Sequence, residues 1–223
     1  MTRKLFAQAI LKFILGVLLV GTLIFLPAGT FSYTNGWLFM GILFVPMFCA
    51  GIVMMFKNPE LLKKRLDAKE EQKDQDLVVK LSGLMFLVGF IIAGLDFRYQ
   101  WFVLPKVVSI VSAIVFLVAY ALYAEVLREN TYLSRTIEVQ DNQKVIESGL
   151  YGIVRHPMYS VTLVLFLSMP LILGSIYSLV IFLVYPFLIA KRIKGEERFL
   201  EKELTGYVEY KEKVKYRLIP YIW

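Results

Sequence analysis

The chain has 223 residues, 58% of them hydrophobic, with a mean hydropathy of +0.63 and a net charge of +7. That is too apolar for an ordinary soluble domain, which runs nearer half apolar. The positive charge is confined to a few segments, which fits the positive-inside rule of membrane proteins and sets nucleic-acid binding aside.

Charge is missing from four stretches: Phe13–Phe56, Leu81–Leu95, Val107–Ala124 and Pro157–Ala190. The first is interrupted by a polar turn at Gly29–Asn35. A helix needs about 20 apolar residues to cross a bilayer. The pattern therefore predicts spans near 9–28, 36–56, 81–97 and 105–126, and a helical hairpin over 157–190. The class is an all-α integral membrane protein with five to six transmembrane helices, the C-terminal hairpin included. A signal peptide at the N-terminus fits poorly, because the apolar run is long and a second span follows at once.

The Asn58-Pro59-Glu60 triplet reads as a helix start. The charged segment 60–75 then suits a short amphipathic helix at the membrane surface, or a solvated linker. Trp37, Trp101, Trp223, Tyr33 and Tyr99 fall near span ends, where interfacial aromatics collect. The lone Cys49 lies inside a span and reads as a buried, inert thiol. One histidine and one cysteine argue against a metal site. Basic residues gather in the N-terminus, in 57–80, in 128–155 and in 191–217, and the turns between are nearly free of them. This predicts a cytoplasmic N-terminus, C-terminus and 128–156 loop. The division expected is a span region, 1–126, and a second region, 127–223, that carries the chemistry.

In that second region Pro170 and Gly174-Ser175 divide the 34-residue apolar run into two antiparallel helices. Residues 191–223 are charged but keep Phe199, Leu200, Leu204, Tyr207, Val208, Val214 and Leu218. They suit a cytoplasmic amphipathic helix with an irregular end at Pro220. The most informative stretch is Arg155-His156-Pro157-Met158-Tyr159, which holds the only histidine. Proline tolerates a first helical turn, so His156 sits where a polar loop enters a membrane helix. On spacing alone His156 can be a cap, Tyr159 an interface anchor, and Arg192 and Lys194 topology determinants. Arg192 and Glu196 share a helical face and can form a salt bridge or contact two ligands. No Gly-x-Gly-x-x-Gly or P-loop pattern occurs.

The run Ser148-Gly149-Leu150-Tyr151-Gly152-Ile153-Val154-Arg155-His156-Pro157-Met158-Tyr159, continued by Arg192-Ile193, Glu196-Glu197, Leu200, Gly206-Tyr207, Tyr210 and Tyr216-Arg217-Leu218-Ile219-Pro220, resembles the isoprenylcysteine carboxyl methyltransferase family. The resemblance covers roughly the last 90 residues. It implies a membrane methyltransferase that uses S-adenosylmethionine on a lipophilic or prenylated substrate entering from the bilayer. By this resemblance the cofactor site comprises Gln143, Lys144, Val145 and Ile146 (matched by register), then Tyr151, His156, Pro157, Met158, Tyr159 and Glu196. Arg192 falls at the substrate-carboxylate position, and Arg192 and Glu196 are the catalytic candidates. The tail spacing before Tyr207 is one residue shorter than the family's. A carboxylate acceptor is already ionised at neutral pH, so its methylation needs alignment and dryness rather than a base. The rival readings are a phospholipid or amine N-methyltransferase, an NADPH-dependent sterol or enone reductase with a similar C-terminal end, and a non-enzymatic membrane protein.

Overall fold

A computed structural model describes residues 3–66, 73–133, 139–140 and 142–223. Among them the protein is helical, without strands: α1 (Arg3–Ala28), α2 (Thr34–Lys57), α3 (Pro59–Leu66), α4 (Lys73–Tyr99), α5 (Lys106–Glu129), a 3₁₀ turn (Gly149–Gly152), α6 (Pro157–Leu173), α7 (Ile176–Phe182), α8 (Tyr185–Glu203) and α9 (Tyr207–Lys213). Five helical segments are long and apolar enough to cross a membrane, with α7 and α8 counted as one. In hydrocarbon every backbone polar group must bond within its own segment, which is why these apolar runs are helices. The 17-residue α6 is shorter, roughly 25 Å.

Local chemistry sets the boundaries. Gly29 ends α1 at φ +70, and a side chain there would press on the Arg98 guanidinium 3.4 Å away. The Asn58 side chain accepts from Leu61 N–H at 3.1 Å and starts α3, as its triplet predicts. Residues 67–72 of the expected 60–75 helix lie outside the described residues. Pro157 opens α6 and Gly174, at φ +79, closes it. Pro170 stays inside α6, so the glycine alone makes the turn.

Two expectations about extent are corrected. The second arm of the hairpin does not stop at 190: α8 runs on to Glu203, carrying Arg192, Glu196 and Glu197 on one rigid element. That arm is also broken at Leu183-Val184, just before Pro186, which sits in the first turn of α8. Similarly α4 begins at Lys73, a turn or two ahead of its apolar run.

The helices alternate in direction, and cross-links mark two ends. At one end Lys12 Nζ donates to Leu66 O at 2.6 Å, Arg65 donates to the Tyr123 hydroxyl, and Gln75 lies by Arg192 O at 3.5 Å. At the other, the Tyr33 hydroxyl donates to Leu173 O at 2.5 Å, and Asn35 donates to Ser109 Oγ, which donates to Leu171 O, each at 3.1 Å. Tyr33 is therefore no interface anchor; it is buried and stacked on Phe97 at 4.1 Å. Trp37, Tyr99 and Trp101 are exposed, whereas Trp223 folds back against the core and its carbonyl accepts from Arg217, Leu218 and Ile219 N–H. Cys49 is exposed on α2, against the expectation of burial. Between the ends, Gly94 brings α4 against the α1 backbone, with Ile24 O only 2.5 Å from where a Cβ would stand. A single hydrophobic cluster, rich in Phe39, Phe86, Phe90, Phe116, Phe166 and Phe182, runs through α1, α2 and α4–α8.

Candidate functional site

The site lies at the N-terminal end of α6. The irregular tail docks there first: Arg155 N–H donates to Tyr216 O and His156 N–H to Arg217 O, each at 2.9 Å, and Ser160 Oγ donates to Leu218 O at 2.7 Å. These bonds fix the entry of the polar loop into the helix. The loop itself is anchored by Glu129, whose carboxylate accepts from Leu150 N–H at 3.0 Å. Gly149 makes that approach possible, with φ +56 and no room for a Cβ beside the carboxylate.

Beneath the loop, Glu197 is 2% exposed and accepts from three side chains. Its Oε1 accepts from Arg155 Nε at 2.7 Å and from His156 Nε2 at 3.3 Å, and its Oε2 accepts from Arg217 Nε at 2.8 Å. Arg155 also donates to Val214 O at 2.6 Å. A buried charge is tolerable only with such partners. One carboxylate of α8 thus joins the α6 entry and the tail. Sequence reasoning names Glu197 within the family motif but gives it no role.

Glu196, one residue back, points to the other side. It accepts from the Tyr159 hydroxyl at 2.5 Å, and that hydroxyl accepts in turn from Arg192 Nε at 2.9 Å. Tyr159 is buried, so it too is no interface anchor. His156 Nδ1 stands 3.9 Å from Glu196 Oε1, and its side chain caps no helix. Arg192 and Glu196 are bridged through Tyr159.

Two cavities meet at this bridge. The first holds about 100 Å³ of water-accessible space and is lined by Gln143, Lys144, Val145, Ile146, Tyr151, His156, Met158, Tyr159, Arg192 and Glu196. The structure thus brings the sequence-predicted residues around one cavity, apart from Pro157, which is buried and starts α6. Sequence reasoning leaves out other lining groups: Asn130, Tyr132, Leu133, Arg155, Leu200, Leu204, Tyr207 and Tyr210. Asn130 donates to the Tyr151 hydroxyl at 3.0 Å and Tyr210 to Tyr151 O at 2.7 Å. The signal for Tyr207 and Tyr210 was their place in the tail motif. Burial pushes the Tyr151, Tyr207 and Tyr210 hydroxyls above the usual phenol range, so all three stay protonated.

The second cavity is larger, about 360 Å³, and lies among α3, α4, α5, α6 and α8. Its walls include Val78, Val79, Phe86, Phe166 and Ile189, and it shares Met158, Tyr159 and Arg192 with the first. A chamber of mixed polarity and a mostly apolar one therefore have a common wall that carries a guanidinium. Among the described residues no cluster of three or more histidine, cysteine or acidic side chains is able to hold a metal ion.

A mouse (Mus musculus) protein named delta(14)-sterol reductase TM7SF2 is 33% identical to this chain over 91 residues, covering 40% of the chain. The chain matches 22% of the length of that relative. The sequence model described as isoprenylcysteine carboxyl methyltransferase (ICMT) family matches residues 110–202, which run from α5 through the loop and hairpin to the end of the site on α8. Over that segment, which includes the wall of Met158, Tyr159 and Arg192 that the two cavities share, the chain is similar to the isoprenylcysteine carboxyl methyltransferase family.

Proposed function

We propose that the protein is an integral membrane methyltransferase that moves a methyl group from S-adenosylmethionine to the carboxylate of a lipophilic acceptor. The observation that carries this reading is the shared wall of Met158, Tyr159 and Arg192 between a cavity lined by charged and aromatic as well as apolar groups and a mostly apolar one. A cofactor and a membrane-soluble acceptor, each in its own chamber, would meet there.

The residues of the first cavity fit the cofactor. Glu196 offers a carboxylate for an ammonium or hydroxyl group, and Tyr151, Tyr159 and Tyr207 offer aromatic faces for an adenine or a cationic sulfonium. The loop residues Gln143–Ile146, with His156 and Met158, would complete the enclosure. When bound, the sulfonium supplies an electrophilic methyl carbon: its C–S bond breaks as a C–O bond forms, and the electron pair stays on sulfur. The chain's own part is positioning. Arg192 holds the acceptor carboxylate through a planar pair of donors, and the bond from Arg192 Nε to Tyr159 fixes the direction of that guanidinium. The apolar walls of the second cavity exclude water and raise the reactivity of the carboxylate. No proton need be removed, so no general base is required.

The end of the bundle that carries the site also carries Lys12, Lys57, Lys63, Lys80, Arg128 and the charged tail, which supports a cytoplasmic site and cytoplasmic termini. The catalytic region in this reading is 127–223, after the span region 1–126. The prenyl character of the acceptor rests on the family alone.

Calorimetric titration of S-adenosylhomocysteine into detergent-purified protein tests the reading. We expect saturable binding, weakened about tenfold or more by His156→Ala and by Glu196→Ala. Arg192→Ala should keep that binding and lose about a hundredfold or more in turnover of a lipophilic carboxylate. The sterol reductase match gives one rival a specific basis. Binding of a reduced dinucleotide in place of S-adenosylhomocysteine would decide for it.

A further inference from the structure

Nearly every polar side chain buried around the first cavity has a partner inside the protein. Tyr151 is served by Asn130, Tyr159 by Glu196 and Arg192, and Tyr210 by the carbonyl of Tyr151. The Tyr207 hydroxyl stands apart. The residue is 4% exposed and lines the cavity, yet its oxygen has no hydrogen-bond partner among the described residues. A buried hydroxyl without a partner is costly, so such groups are rare unless something else satisfies them.

The fold holds this hydroxyl in place at some conformational expense. Gly206 takes φ +86, a left-handed conformation that turns the chain sharply after α8 and aims the first residue of α9 inward. The α9 helix then packs through its own small cluster, Leu204, Tyr207, Tyr210 and Val214 with Val139, Val145 and Leu200, separate from the main core. The Tyr207 ring sits 5.8 Å from that of Tyr210, one turn along the same helix face. Of the two, only Tyr210 spends its hydroxyl on the protein.

We propose that the Tyr207 hydroxyl is a ligand contact of the first cavity, hydrogen-bonding a polar group of the bound cofactor, so that α9 belongs to the binding site and is more than its cover. This rests on the methyltransferase reading for the identity of the ligand. The carboxylates of Glu196 and Glu197 face Tyr207 from α8 and the Arg155 guanidinium from the α6 entry. Burial first, and then the two carboxylates, keep the phenol neutral against the opposing pull of Arg155, and a neutral phenol can donate to a ligand oxygen or accept from a ligand hydroxyl or ammonium.

The test is Tyr207→Phe, which removes one oxygen and keeps the ring. S-adenosylhomocysteine affinity is measured by calorimetry, and thermal stability with and without the ligand. We expect an affinity loss of about three- to tenfold. The melting temperature of the ligand-free variant should be equal to or above that of wild type, because an unsatisfied group has been deleted. The stabilisation conferred by ligand should shrink. Wild-type affinity in the variant, within about twofold, would overturn the contact while leaving the methyltransferase reading intact. A less stable ligand-free variant would overturn it as well, since the hydroxyl would then have a partner in the protein. No binding of S-adenosylhomocysteine by folded wild type would overturn that reading and this contact together.

Discussion

The two ends of α6 solve the same problem in opposite ways. Every helix leaves four backbone N–H groups at its start and four carbonyls at its end without helical partners. At the C-terminal end of α6 the orphan carbonyls of Leu171 and Leu173 receive hydroxyls from Ser109 and Tyr33, and Gly174 turns the chain away. Those groups are neutral, and short hydrogen-bond chains satisfy them. At the N-terminal end, Arg155, His156, Arg192, Glu196, Glu197 and Arg217 crowd together, and the same end opens into both cavities. The first end closes the bundle. The second is held by one carboxylate and keeps room for a ligand. Charge inside a membrane protein is costly, and here the buried charges stand beside the cavities except for Asp96, which is 2% exposed near the closed end.

The widest separation of the two ends should come from Glu197→Ala. It leaves the buried Arg155 and His156 and the half-buried Arg217 without their shared anion. Breaking a buried ionic network from one side costs about 3–5 kcal/mol. We expect loss of a monodisperse peak in detergent size-exclusion chromatography, or a sharply lower melting temperature. Glu197→Gln keeps the shape and one acceptor oxygen and should fall between. Full stability in both variants would deny that Glu197 joins the tail to α6.

At the closed end, Tyr33→Phe deprives Leu173 O of its donor in a site 1% exposed. The expected cost is about 1–3 kcal/mol in stability, read as a lower melting temperature, with ligand affinity unchanged. A change in affinity would mean that the ends of α6 communicate. Gly94→Ala tests the packing between them. Its Cβ would lie 2.5 Å from Ile24 O and 3.1 Å from Ala28 N, backbone atoms that cannot rotate away. Forcing α1 and α4 apart should cost about 1–3 kcal/mol.

How far these features could be read from sequence depends on their range. The spans are legible because each is a long run that no soluble fold would use, and helix starts at Pro59 and Pro157 and the turn at Gly174 are legible from three or four residues. Helix lengths are less so. Hydropathy reports where lipid ends, not where the helix does, so α4 and α8 outrun their apolar segments at Lys73 and Glu203. The side facing inward is not legible at all in a helix that is apolar all round, which is why the exposure of Cys49 is missed, and the burial of Tyr33, in the turn before α2, depends on a carbonyl 140 residues away. The candidate site divides the same way. Its motif residues are found by resemblance, but nothing local distinguishes Glu196 from Glu197. Their roles are set by Arg155 and Arg217, 42 and 20 residues away, through contacts made only once the tail returns to α6.

The smallest effect should come from the rim of the first cavity, where Lys213 on α9 meets Glu147 of the loop at 2.8 Å. The pair spans the same two elements as the buried bond from Tyr210 to Tyr151, so it looks like a latch on α9. Its side chains are 62% and 45% exposed, however. Water screens such a pair, and two long side chains lose freedom in making it, so its net contribution is small. Lys213→Ala should leave melting temperature and S-adenosylhomocysteine affinity unchanged within error, at low salt and at high. Tyr210→Phe, which deletes the buried 2.7 Å bond, should lower both. If the ranking reverses, α9 is held by surface charge, and affinity should fall with ionic strength. If it stands, α9 is held by its buried tyrosines, and Tyr207, one turn from Tyr210 in the same cluster, is kept rigid enough to make a specific contact.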